Sequence, residues 1–294
     1  LNQEYQITEI LTANSYKVVA KDTSGTTVTA NSSDTGNGGS SVVGTYQINT
    51  GLDTTVAGTG WGAGTWSRGT WGSGTSLIAV GTTLRLWSSD NFGEDLIINA
   101  RDAGIFYWDK SVKFATDPVG RAVALSDLAG ADSTTPTIAK QVLVSDRDRH
   151  IIAFGCDPEN DIGTQDPLLI RFSDQENPLV WSAQATNTAG DLRIGTGSEI
   201  ITALETRQQI LVFTDRSLHA MQYLGPPFTF GISMISENIT IASPLAAIAV
   251  DDMVMWMGEE EFYIYTGQVQ KLPCSVRAYV FNDFNQNQAE KVTA

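Results

Sequence analysis

Histidine and cysteine are scarce in this sequence, which restricts the chemistry available to the chain. It has two histidines, His150 and His219, and two cysteines, Cys156 and Cys274, among 294 residues. A zinc site with four such ligands would need all of them to converge from distant positions. The cysteines form neither a CxxC pair nor a disulfide framework, so we expect two reduced core thiols from a cytosolic synthesis compartment. No metal site, cofactor site or catalytic residue is predicted.

Positive charge is the second shortage. Lys and Arg total 18 against 33 Asp and Glu, which gives a net charge of −15, and charged residues make up only 17% of the chain. An acidic chain is poorly suited to neutralising the phosphates of a nucleic acid or to binding an anionic membrane. Apolar residues make up 41% of the chain, so it has enough of them for a core, and global disorder is not expected.

Long apolar runs are also missing. No stretch approaches the ~18 consecutive apolar residues of a membrane span, so no membrane-spanning segment is predicted. The sequence has neither a signal peptide nor an initiator methionine, and it closes at Ala294 without a recognisable end. We therefore expect these residues to be the interior of a longer polypeptide.

The patterns that are present are those of β-structure. Thr, Val, Ile and aromatic residues alternate with short polar breaks, and no long segment has the 3.6-residue apolar period of a helix. Strand-like segments occur at 5–7, 16–20 and 26–29, and another at 46–49 follows a Gly/Ser/Asn-rich loop. Residues 1–57 are therefore predicted to be a small β domain or part of one.

A segment rich in glycine and tryptophan follows. Residues 58–74 read GTGWGAGTWSRGTWGSG, in which Trp61, Trp66 and Trp71 recur every five residues. Glycine removes side-chain packing and costs backbone entropy, so residues 58–83 are predicted to be a looped connecting segment. Two interpretations of the indoles stay open: they anchor the segment to its own chain, or they bind a partner or stack on a glycan.

A hairpin pattern recurs over residues 84–294. The paired strand-like segments are 96–99 with 105–109, 151–154 with 168–172, 210–213 with 218–223, and 253–257 with 262–265. The last two pairs align without gaps at an offset of 43 residues, from Ile210 to Met253. Three or four antiparallel strands every ~40–45 residues are typical of a β-propeller blade. The predicted fold class is all-β, a β-propeller-like platform of antiparallel blades, with an incomplete set of blades, plus the small β domain. A β-sandwich of unrelated hairpins is the alternative.

Two polar segments within this region are candidates for function. Charges alternate in residues 145–150 (SDRDRH), which indicates either local ion pairs in a tight turn or a salt bridge between subunits through Arg147 and Arg149. The acidic residues 157–163 lack the spacing of an EF-hand and are expected to be a solvated loop.

Glycoside hydrolysis is the enzymatic alternative, because some β-propellers are glycosidases. Residues 173–181 (SDQENPLVW) resemble the Asp-box turn of sialidase blades but lack its glycine. The chain has neither a G-x-S-x-G nucleophile elbow nor the arginine cluster that sialidases direct at a carboxylate. We therefore predict a protein that is not an enzyme.

Several phrases, taken in order, resemble the tail nozzle proteins (tail tubular protein B-like) of short-tailed bacteriophages. The resemblance covers about two-thirds of the chain and leaves out residues 1–57. The segments that carry it are 58–74, 86–96, 166–181, 187–190, 197–201, 207–215, 256–258 and 272–276.

The resemblance implies a structural component of the virion tail, assembled in the host cytoplasm. Such proteins form homohexameric rings below the portal and the adaptor (head-to-tail connector) protein, carry β-propeller platforms and surround the DNA exit channel. Tail fibres are a further expected partner, and no catalytic residues carry over. The acidic balance is compatible with this expectation, since DNA must pass without binding. The alternative is a tail-associated β-propeller that binds or hydrolyses host glycans, for which Trp61, Trp66 and Trp71 are the candidate contacts.

Overall fold

The computed structural model describes residues 6–12, 15–21, 26–29, 85–111, 122–225, 228–250 and 253–294. The chain divides into two compact units, Leu1–Asn49 and Thr50–Ala294. The predicted boundaries at residues 57 and 83, like the strand-like segment at 46–49, lie outside the described residues and stay predictions.

The described part of the first unit is an antiparallel sheet of three strands. Its strands follow the order β1 (Gln6–Thr12), β2 (Ser15–Lys21) and β3 (Thr27–Val28). The pairing of β1 with β2 shifts register twice, which is a mark of bulges. The small additional β domain predicted from the alternating sequence is therefore present.

The described part of the second unit contains four sheets, each of four antiparallel strands that follow one another in sequence. We call these sheets blades 1 to 4. Blade 1 contains β4 (Trp87–Phe92), β5 (Asp95–Ala100), β6 (Ile105–Trp108) and β7 (Val123–Ala124). Blade 2 contains β8 (Gln141–Val144), β9 (Ile151–Phe154), β10 (Leu169–Phe172) and β11 (Gly190–Arg193). Blade 3 contains β12 (Ile200–Glu205), β13 (Ile210–Thr214), β14 (Ser217–Gly225) and β15 (Thr229–Glu237). Blade 4 contains β16 (Ala247–Val250), β17 (Met253–Met257), β18 (Phe262–Tyr265) and β19 (Val269–Lys271). All four predicted hairpins are confirmed.

The first strand of each blade is the innermost one. Strand β4 lies beside β8, β8 beside β12, and β12 beside β16. The beginnings of these strands border a common hollow, which is lined by residues such as Trp87, Gln141, Thr202 and Leu245. Four blades that share an axial hollow define a β-propeller-like arrangement, and the all-β fold class is confirmed.

Three apolar clusters hold adjacent blades together. Ile97 and Tyr107 of blade 1 pack with Val142 and Ile151 of blade 2. The other side of β9 packs against blade 3, and blade 3 packs in turn against blade 4 through residues that include Phe213 and Trp256. Blades 2 and 3 are therefore covered on both faces, which explains why their second strands, β9 and β13, are apolar at nearly every position.

Strands β13 and β17 start at the predicted offset of 43 residues, but their side chains do not. The side chains that face the preceding blade follow an offset that differs from it by one residue. Strands β13 and β17 begin at Ile210 and Met253, as expected. In β13, Val212 faces the preceding blade, whereas in β17 it is Trp256 rather than Met255 that does so. Side chains alternate along a strand, so a gapless alignment of the two strands exchanges inward and outward positions.

The outward face of blade 4 carries an apolar row. Ile248 pairs with Met255 and Met255 with Ile264, while Val250 pairs with Met253. Ile248, Val250 and Met253 are 44%, 42% and 40% exposed. The same row on blade 3, which includes Leu211 and Ala220, is buried by blade 4.

The segment after β19 returns to the inside of blade 4. It contains α1 (Arg277–Asn282) and a 3-10 turn at Gln286–Lys291. Thr293 then forms a parallel bridge with Leu245, just before β16. Cys274 in this segment is partly exposed and only Cys156 is in the core, so the prediction of two core thiols is wrong for Cys274.

The turn that resembles an Asp-box forms without its glycine. Glu176 adopts a left-handed conformation (φ +54°). Asp174 bridges Asn177, and its Oδ1 accepts hydrogen bonds from the N–H and the hydroxyl of Thr188. Trp181 is buried and donates its indole N–H to the carbonyl of Pro178. The turn is thus held by local hydrogen bonds and by an indole in the core.

Gln141 fastens the inner edge of β12 to β8. Its amide oxygen accepts hydrogen bonds from the N–H of Ala203 and the hydroxyl of Thr202, and its amide nitrogen donates to the carbonyl of Ala203.

We expect Gln141→Ala to lower the free energy of unfolding by about 2 kcal/mol, because it leaves backbone groups at the edge of β12 without partners. Urea unfolding measures this, and Gln222→Ala, which removes one exposed hydrogen bond to Gln209, is the control. Equal losses in the two variants would contradict the assignment.

Candidate functional site

Carboxylates gather where the innermost strands end. Asp90 lies near the end of β4, Asp146 lies two residues after β8, and Glu205 is the last residue of β12. Asp148, in the loop after β8, is buried, and it lines a second pocket together with Glu205. This pocket is separate from the axial hollow described above. We call these four residues the acidic end.

Two members of the acidic end bind backbone groups of β8 and its loop. Asp90 Oδ2 accepts a hydrogen bond of 2.8 Å from the N–H of Val144, and Glu205 Oε1 accepts one of 3.1 Å from the N–H of Asp146. Ser88 Oγ accepts a further one from Val142 at 3.1 Å. A free strand edge exposes such groups, so these side chains replace the neighbouring strand that β8 lacks.

Glu205 is the most perturbed carboxylate of the acidic end. Burial, together with the nearby charges of Asp146, Asp90 and Asp148, raises its pKa to about 7, while the hydrogen bond from Asp146 opposes the shift. Near neutral pH this end of the blades therefore carries carboxylates that repel one another, with one of them partly protonated.

The opposite end of the inner strands has a balanced charge. Lys140, which precedes β8 and is 8% exposed, donates hydrogen bonds of 3.0 Å to Asp102 and 2.7 Å to Glu199. Arg101 donates to the carbonyl of Ile201 at 2.9 Å. Asp102 belongs to blade 1 and Glu199 precedes blade 3, so one buried ammonium links three blades.

The predicted arginines lie beside the acidic end. Arg147 is mostly exposed, and its Nε is 4.0 Å from Asp148. Arg149 is in the left-handed region (φ +52°), lies 3.4 Å from Glu176 and places its guanidinium over the ring of Phe92 at 5.6 Å. Both arginines are thus within ion-pair distance of a nearby carboxylate of blade 2, and Arg149 also joins blade 2 to the end of β4. The salt bridge to another subunit stays a prediction. Trp61, Trp66 and Trp71 lie outside the described residues.

Other polar side chains are engaged inside the blades. His219 is in β14, as predicted, and its Nε2 contacts the hydroxyls of Ser217 and Thr196, both at 2.9 Å. Ser217 is 1% exposed, so this pair presents no nucleophile to a substrate. Burial lowers the pKa of both His150 and His219.

Asp157 differs from its expected place in a solvated loop. Its carboxylate is fully buried and accepts hydrogen bonds from Thr137 and from the N–H of Gly163. Among the described residues, no group of three His, Cys, Asp or Glu side chains has the arrangement of a metal site. In the same part of the chain, no helix has the length and hydrophobicity needed to cross a bilayer.

The four blades and their common axial hollow place the described part of the second unit among β-propeller-like folds. No protein-family model and no curated protein sequence matches the chain.

Solved structures match at low similarity. The extracellular domain of a hybrid two-component system from B. thetaiotaomicron is 14% identical with a TM-score of 0.42, and 65% of this chain covers 24% of that one. Hsv2 from Kluyvelomyces marxianus is 8% identical with a TM-score of 0.33, and 64% of this chain covers 48% of that one. An exported protein from Bacteroides fragilis is 12% identical with a TM-score of 0.34, and 63% of this chain covers 49% of that one. The matched part of the chain thus spans between a quarter and a half of these structures.

Sequence reasoning missed the acidic end, although the sequence contains a signal for it. The first three innermost strands each have a carboxylate within their last three residues or within two residues after their end: Asp90, Asp146 and Glu205. This signal is visible only in an alignment of the first strand of each blade, whereas the predicted repeat consists of the second and third strands.

Glu205→Gln should stabilise the protein above pH 7. The folded protein binds a proton at Glu205 more tightly than the unfolded chain does. The protonated side chain therefore adds to the free energy of unfolding at low pH, and this contribution is lost as the pH rises through about 7. The variant keeps an oxygen for the N–H of Asp146 and removes the like charge. Because the side chain is partly exposed, we expect a gain of about 1 kcal/mol near pH 8, and little gain near pH 5.

Urea unfolding at both pH values measures this effect. Glu237→Gln, at the end of the outermost strand β15, is the matched control and should show little change at either pH. A gain for Glu205→Gln that is the same at both pH values would contradict the expectation.

Proposed function

We propose that this chain is a structural component of the tail of a short-tailed bacteriophage. It forms a homohexameric nozzle around the DNA exit channel and is not an enzyme. The acidic end carries the proposal: its four carboxylates outnumber the two arginines that lie beside it, Arg147 and Arg149. At the other end, the cations Lys140 and Arg101 are bound to carboxylates and a carbonyl. The resemblance of the sequence to nozzle proteins supports the same function.

The mechanism is geometric and electrostatic. DNA is a polyanion, and a wall of like charge raises the free energy of contact between the wall and the phosphates. A conduit of this kind guides the genome without holding it. In this proposal the ring docks below the adaptor protein, and tail fibres attach to its outside.

Electron microscopy of the purified protein and of virions, with rotational classification, tests the assembly. We expect six copies around an axial hole wide enough for a DNA duplex. A monomer, or a threefold appendage away from the tail axis, would contradict the nozzle and favour a propeller that binds host glycans.

A charge reversal tests the electrostatic part. We expect Asp146→Lys to increase non-specific binding of duplex DNA and to make that binding fall with salt, because it places a cation at the acidic end. Fluorescence anisotropy at low salt measures the affinity. Glu237→Lys makes the same change of charge on the outermost strand and is the control. Equal effects of the two reversals would show that only net charge matters.

A further inference from the structure

The turn between β8 and β9 meets blade 3 through a polar contact. The turn comprises residues 145–150, and the N–H of Asp146 donates a hydrogen bond of 3.1 Å to Glu205 Oε1 at the end of β12. We call this contact the seam. The turn is also closed by its own hydrogen bonds, such as the one of 2.9 Å from the N–H of Ser145 to the carbonyl of His150. The turn can therefore keep its conformation when its bond to Glu205 is broken.

The second pocket lies beside the seam. It is lined by Arg147 and Asp148 of the turn, by Glu205, and by the rings of Tyr223 and Phe230 in blade 3. Its volume of about 40 Å³ is enough for a few water molecules. Water that occupies this pocket can hydrate the end of the seam, so the hydrogen bond can break without separating the blades.

The negative charges around Glu205 come from two other blades. Asp90 belongs to β4 of blade 1, whereas Asp146 and Asp148 belong to the turn of blade 2. All three are close enough to raise the pKa of the Glu205 carboxyl group, in addition to the effect of its burial. The seam is therefore a place where like charges from three blades meet.

The arginines and the histidine of this region do not change that balance. Arg147 is 77% exposed, with its Nε 4.0 Å from Asp148, and Arg207 lines the pocket. The carboxylates, rather than these arginines, shift the pKa of Glu205. Burial lowers the pKa of His150, so its imidazole is neutral above pH 7. Of these groups, Glu205 is the one whose charge changes near neutral pH.

The two protonation states of Glu205 favour different states of the seam. When protonated, its carboxyl group still offers an oxygen to the N–H of Asp146, and it carries no charge that repels Asp90 or Asp148. When ionised, it accepts a stronger hydrogen bond, but burial and repulsion outweigh this gain, because the pKa is raised rather than lowered. Water in an open seam hydrates the charge and relieves both costs.

We propose that the seam is a pH-sensitive fastening between blades 2 and 3. It is closed while Glu205 is protonated, and above neutral pH it opens to water, which frees Asp146 from Glu205 and leaves the blades folded. The proposal is independent of the hexameric nozzle, because it concerns contacts within one copy.

Hydrogen exchange measured by mass spectrometry at pH 6 and pH 8 tests the fastening. After correction for the intrinsic exchange rate, we expect the protection of the peptide that contains Asp146 to fall about five- to tenfold between these pH values, since opening restores an ordinary pKa to Glu205. This exchange should not respond to 1 M urea, because local opening exposes little surface. Exchange in β17, which requires unfolding of blade 4, should be faster in urea.

Two variants assign the effect to Glu205. Glu205→Gln keeps an oxygen for the N–H of Asp146 but does not ionise, so its protection should be equal at both pH values. Asp146→Asn keeps the backbone N–H and removes a neighbouring charge, so the fall should be smaller. Glu237→Gln, on the outermost strand of blade 3, is the control and should behave as the unaltered protein. Unchanged far-UV circular dichroism would show that each variant is folded.

Three results would overturn the fastening. The first is equal protection at both pH values in the unaltered protein, and the second is a full fall that persists in Glu205→Gln. The third is exchange of the Asp146 peptide that responds to urea as β17 does, because the whole protein then unfolds rather than the seam. If Glu205→Gln does not fold, Asp146→Asn decides, since its side chain is exposed, and a fall of full size in this variant would also overturn the proposal.

Discussion

The free edge of each innermost strand is the constraint on which the arrangement of blades depends. A blade pairs its strands with one another, so the backbone groups on the inner side of its first strand have no strand to bind. Here side chains of the neighbouring blade take that place: Asp90 and Ser88 bind the edge of β8, and Gln141 binds the edge of β12. Buried polar groups left unpaired cost about 1–3 kcal/mol each, so these few side chains set how adjacent blades meet.

The blades themselves could be predicted from sequence, because burial on both faces produces short apolar segments separated by polar turns. Strands β9 and β13 are apolar at nearly every position, and their turns are polar. The same pattern does not predict which side chains of a strand face the preceding blade. A strand that is apolar throughout, such as β17, can be aligned with β13 with either of its two faces toward that blade. The cross-strand pairs of Trp256 decide the matter, and they depend on register rather than on composition.

The candidate site was predictable only in part, for a related reason. Arg147 and Arg149 were conspicuous as alternating charges, yet Asp90, Glu205 and Gln141 are single polar residues that acquire their roles from a neighbouring blade. Contacts of that kind join residues more than fifty positions apart. Asp157 shows the same limit, since its loop is acidic in sequence but its carboxylate is enclosed by Thr137 and Gly163.

The balanced charge around Lys140 and the unbalanced charge around Glu205 make the inner strands electrically asymmetric along their length. Because both groups of charges are fixed on the described blades, these strands have an electric dipole along their length. A charged surface that approaches along the strands therefore meets a different field at each end. The field at the end around Glu205 also depends on pH, since that carboxylate takes up a proton near pH 7.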